Sequence, residues 1–167
     1  MKKVFSIMLS MAMLLSSCGS KKEKHRETVY PSELITIEEL SAYVGYTPVL
    51  TEEGNRRERT ATYVSEPLGK GDIVRISVRQ KSQFQSEKEV KENFENMIKL
   101  RSDAYEIGEL GVKAYVVYPS LHYYIDGYHI EVTAGSGSND LQKALLTNIS
   151  KITLNNLSKI TGIKLPK

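Results

Sequence analysis

Two periods of apolar spacing divide this chain into elements. Val90, Phe94, Met97 and Ile98 fall at i, i+4, i+7 and i+8, which is one face of a helix running from Ser86 to about Arg101. Val74, Ile76 and Val78 alternate with Arg75, Ser77 and Arg79, the period of a strand with one buried and one wet face. The same two tests predict a helix over 37–44, strands over 46–52, 60–66, 72–80 and 112–118, and a final helix over about 140–160. In that last helix, Leu141, Leu145, Ile149 and Ile152 mark the expected buried side, widened by Leu154, Leu157 and Ile160. Local chemistry punctuates the pattern. Thr36 with Glu39, and Ser86 with Glu89, have the spacing of capping boxes, and Ile35 and Leu40 that of a hydrophobic staple. Gly45 and Gly162 are the expected helix stops.

Residues 121–134 are the most informative stretch of the predicted domain. Asp126-Gly127 is a strong two-residue hairpin signal. Centring the turn there sets Ile125 against Tyr128, Tyr123 against Ile130 and Leu121 against Val132, all apolar or aromatic. The other face then carries Tyr124 opposite His129 and His122 opposite Glu131. A one-residue slip would scramble both faces.

The order α-β-β-(β)-α-β-β-β-α predicts an α+β fold, an antiparallel sheet with the helices packed on one face, in a single domain over 35–167. The segment Glu109-Leu110-Gly111-Val112-Lys113-Ala114-Tyr115, leading into a strand before a hairpin, resembles small exported PsbP-like domains of bacterial lipoproteins. That resemblance implies a fold over 35–161 and no specific activity.

The first residues follow a different logic. Lys2 and Lys3 precede the apolar run Val4 to Leu15, and Ser16-Ser17 leads to Cys18. This is the layout of a secretory signal peptide, and the run is shorter than the ~20 apolar residues a membrane span needs. Leu15-Ser16-Ser17-Cys18 resembles the lipobox of bacterial lipoproteins. The resemblance implies cleavage after residue 17 and a diacylglyceryl group on the Cys18 sulfur, hence an anchor on the outer side of the cell membrane or on the outer membrane. Multiple acyl chains hold a protein stably where one does so marginally. The other reading is an ordinary signal peptide followed by an exposed thiol. With a single cysteine in the chain no internal disulfide is available to it. Residues 18–34 are polar and charged and are expected as a tether, whose excess of lysine and arginine either meets an anionic membrane surface or is simply solvated.

Charge narrows the partners. Of 23 Lys+Arg and 20 Asp+Glu, only two lysines lie before Cys18, leaving a net charge near +1. That balance argues against a nucleic-acid binder. Arg56, Arg57 and Arg59 interleave with Glu52, Glu53 and Glu58 and read as a solvated loop. No phosphate loop, H-E-x-x-H or G-x-S-x-G is present, and no cofactor is expected. One constellation stands out: His122, His129 and Glu131, with Tyr124, on the polar face of the hairpin. Two imidazoles and a carboxylate match a zinc ligand set, and equally match ordinary cross-strand pairs. The expectation is a non-catalytic module binding a protein, glycan or small ligand. The alternatives are a metal-dependent hydrolase using that face, or an accessory subunit of a cell-envelope complex.

Overall fold

A computed structural model describes residues 28–55, 57–65, 73–135 and 139–166. The expected signal peptide, Cys18 and Arg56 lie outside them. Seven strands form one sheet: β1 (Pro48–Gly54), β2 (Arg59–Ser65), β3 (Val74–Gln80), β4 (Tyr105–Ile107), β5 (Lys113–Val117), β6 (Ser120–Ile125) and β7 (Tyr128–Ala134). The spatial order is β1-β2-β3-β7-β6-β5-β4, and every pairing is antiparallel. Three α-helices accompany it among the described residues: α1 (Ile37–Val44), α2 (Glu87–Lys99) and α3 (Asp140–Thr161). The α+β class, the antiparallel sheet and the element order match the sequence reading. The short edge strand β4 was not predicted. No described helix is long and apolar enough to cross a membrane.

The helix ends show why these segments are helical. Thr36 Oγ1 accepts from the Glu39 N–H at 3.1 Å, and the Glu39 carboxylate accepts from the Thr36 N–H at 2.9 Å, the reciprocal box that satisfies two donors helix geometry leaves open. Gly45 then ends α1 at φ +74°, a conformation open to glycine at little cost. At α2, Ser86 caps the Glu89 N–H, but Glu89 reaches back one residue further, to the Gln85 N–H at 2.8 Å.

Two meanders, β1-β2-β3 and β4-β5-β6-β7, join through the β3–β7 pairing. On one face Ala61, Tyr63, Val74, Ile76, Val78, Leu121, Tyr123, Ile130 and Val132 are buried beneath α1 and α3. The Tyr123 hydroxyl meets Thr153 of α3 at 2.9 Å. The expected buried side of α3 is found at Ile149, Leu154 and Leu157, with Leu145, Ile152 and Ile160 packed against the core. It departs from expectation at Leu141, which is 81% exposed, and at Leu146, Gln142, Ser150 and Thr153, which are buried without having been expected there.

Two further expectations need correction. The segment expected as the end of the tether packs into the domain: Val29 and Leu34 are fully buried, and residues 31–33 form a 3-10 turn. Gln80 clamps this segment from β3, accepting from the Val29 N–H at 2.8 Å and donating to the Val29 carbonyl at 2.9 Å. A buried amide thereby closes the backbone groups of an extended segment, as buried polar groups require. Second, the helices do not all share one face. α1 and α3 do, but Phe94 of α2 packs on His129, Tyr124 and Tyr115, whose side chains point the other way. The chain leaves β3 at the sheet centre and re-enters at the far edge, β4, and α2 crosses the second face on the way.

Candidate functional site

The hairpin closes as its turn dictates. Asp126 and Gly127 have φ of +41° and +83°, both left-handed, the conformation an Asp-Gly pair accommodates. The register places Tyr124 opposite His129 and His122 opposite Glu131. The predicted pairs are therefore brought together. Their environment is not the expected wet face: His122 is 5% exposed and His129 0%, because α2 lies over them. The Phe94 ring meets His129 edge-on with centroids 5.0 Å apart. Tyr124 stacks on Phe94 at 5.8 Å, and its hydroxyl accepts from the Gly127 N–H at 3.1 Å.

Arg79 is the residue that sequence reading missed. Its place on the polar side of β3 was legible from alternation, but the β3–β7 pairing that sets it beside His129 was not. Arg79 Nη1 and Nη2 donate to Glu131 Oε2 at 3.2 and 3.3 Å, and the guanidinium also pairs with Glu58. The other Glu131 oxygen accepts from Ser120 Oγ at 3.2 Å, and Ser120 shares a 2.7 Å bond with Thr133. Arg79 Nη1 lies 3.5 Å from His129 Nδ1, and His129 Nε2 lies 3.3 Å from His122 Nδ1.

A guanidinium can only donate. His129 Nδ1 therefore presents its lone pair to Arg79 and carries its proton on Nε2. That N–H points at His122 Nδ1, which accepts, so the His122 proton sits on Nε2. The order Arg79, His129, His122 is one directed chain of donors. Both rings are held neutral. Burial pushes His129 well below the ordinary histidine range, and Arg79 and His122 push it further. His122 is lowered mainly by burial, with Glu131 opposing and Arg79 and Arg101 reinforcing.

His122 is the one ring of the pair that reaches open space. With Glu131 and Ser120 it lines a cavity of about 180 Å³, walled by Met97, Arg101 and the cis Tyr118–Pro119 segment. Tyr124 and His129 are not among its lining residues. Among the described residues His122 Nε2 meets no protein partner. Arg101, at the rim, is held by Asp103 through two 3.0 Å bonds.

A metal ion fits this arrangement poorly. The facing nitrogens of His122 and His129 are close enough to share a cation, but Glu131 Oε2, 3.9 Å from His122 Nδ1, already belongs to Arg79. A cation there would face the guanidinium across His129. Among the described residues, no group of three or more His, Cys, Asp or Glu side chains is placed to hold a metal. No protein-family model, curated protein or solved structure matches this chain.

Proposed function

We propose that the protein is an extracytoplasmic lipoprotein, anchored through acylated Cys18 to the cell membrane or outer membrane, whose domain is a non-catalytic module binding a small ligand beside His122. The anchor rests on the order of charge, apolar run, small residues and Cys18. The binding reading rests on one observation: a buried histidine, oriented from behind, lines a cavity with an unpartnered N–H. Small-molecule sites combine apolar walls with a few placed polar groups, and Met97, Val117 and Pro119 supply walls of that kind. A hydrolase would need an activated nucleophile or a metal-bound water. The Ser120 hydroxyl is tied to Glu131 and Thr133, with neither histidine among its partners.

Two measurements test this. Acyl labelling in cells should mark the parent and not Cys18→Ser, and the variant should leave the membrane fraction. An unlabelled parent that stays membrane-bound sinks the anchor. The purified protein should hold no stoichiometric zinc; zinc that is present and disappears in His129→Ala would return the metal-dependent alternative.

A further inference from the structure

We infer that the cavity beside His122 takes a neutral carbonyl or amide oxygen carried on a small apolar body, rather than an anion or a metal ion. This rests on the binding reading above and specifies its ligand.

The polar groups of the cavity are not equally available. Glu131 is largely committed, with one oxygen on two Arg79 nitrogens and the other on the Ser120–Thr133 hydroxyl pair, which has one proton left for it once the two share their own bond. Ser120 is committed to the same pair. What stays open is donors: the Nε2–H of His122, and the N–H groups of Arg101 beyond the two that hold Asp103. A cavity whose uncommitted groups are mainly donors favours a ligand that accepts.

Charge then separates the acceptors. Arg79 and Arg101 are the cations near the cavity, and Glu58, Glu131 and Asp103 are their counter-ions. Every cation is already paired and the negative groups outnumber the positive, so an incoming carboxylate or phosphate finds no free charge and meets the Glu131 carboxylate on the wall. A divalent cation finds an N–H, not a lone pair, at His122. A neutral oxygen accepts from both His122 and Arg101 and meets neither objection.

Size and walls supply the rest. The cavity measures about 180 Å³. That is below the ~300 Å³ of ordinary ligand sites, which suits a small molecule or the end of a longer one. Met97, Val117 and Pro119 would cover its apolar body. The His122 donor is preoriented, since Arg79 and His129 fix its tautomer from behind, which lowers the ordering cost of binding.

The test uses the full chain and two probes of nearly equal shape that differ in charge, propionamide and propionate. Nitrogen-15 signals of the His122 ring are followed during titration. The expected result is a saturable shift at Nε2 with propionamide, with a dissociation constant on the order of millimolar for so few atoms, and at least tenfold weaker response to propionate. Met97→Trp, which fills the cavity from its half-buried rim and leaves the His122 ring in place to be observed, should abolish the response. Propionate shifting His122 as strongly as propionamide overturns the ligand class and leaves the cavity as a site. Zinc perturbing both histidines stoichiometrically also overturns the class. If neither organic probe moves His122, or if Met97→Trp leaves the shift unchanged, the cavity is not the binding site and the reading under it fails as well.

Discussion

The two faces of the sheet solve burial in opposite ways. Beneath α3 the sheet presents Val74, Ile76, Val78, Leu121, Ile130 and Val132, which need only shape. Beneath α2 it presents Arg79, Tyr124, His129 and Glu131, which need partners. The first face is stabilised by apolar area, about 25 cal/mol per Å² removed from water. The second is covered by a helix with a narrow apolar stripe, and its polar groups, apart from His122 Nε2, find partners among themselves. Desolvating such groups is costly, and the cost is recovered only where the network is complete. The second face reaches a cavity at His122. The contrast separates a face that holds the fold together from a face that holds a donor in one orientation.

The largest effect should come from the apolar side. Leu146 is fully buried under α3, and Leu146→Ala should cost about 2–5 kcal/mol in urea unfolding. Arg79→Met should cost less, about 1–3 kcal/mol, because Glu131 and Glu58 lose a partner while keeping some contact with water. That variant has a signature no apolar truncation shares: with the adjacent cation gone, His129 should take a proton at higher pH. A Leu146→Ala loss no larger than that of Arg79→Met would break the comparison.

Acid should distinguish the faces further. Both histidines are depressed below their ordinary 6.5 in the fold. The unfolded chain therefore binds more protons once pH falls below that value. Their contribution is fully present above pH 6.5 and is lost as pH falls below it, until the folded state itself protonates. The groups facing them are Arg79 from β3, Glu131 from β7, Glu58 ahead of β2 and Arg101 after α2. Urea midpoints measured from pH 7.5 to 5 should fall in the parent and stay nearly level in His122→Gln with His129→Gln. A parent midpoint that is flat over this range would show that the pair is hydrated.

What could be read in the sequence follows from how local each signal was. The hairpin register was legible because Asp126-Gly127 fixes it and both faces then agree. The starts of α1 and α2 were legible because Thr36 and Ser86 cap their own helices. The side of the sheet taken by α2 was not, since a Val90-Phe94 stripe fits either face and only the β3–β7 pairing decides where the chain must cross. For the same reason His122 and His129 looked wet. The α3 stripe was legible at Ile149, Leu154 and Leu157, whereas Thr153 and Thr161 were not, since they satisfy their hydroxyls on helix carbonyls, Ser150 and Leu157, and so lie buried at positions whose chemistry suggests solvent. Arg79 combined both difficulties, having a legible face and an illegible neighbour.

The claim that connects the fold to the cavity is the directed chain from Arg79 through His129 to His122. Long-range nitrogen–proton correlation of the histidine rings at pH 7 reads it directly. Two neutral rings, each protonated on Nε2 and unprotonated on Nδ1, is the expected spectrum. A proton on Nδ1 of either ring, or averaged signals that titrate near 6.5, would contradict the account.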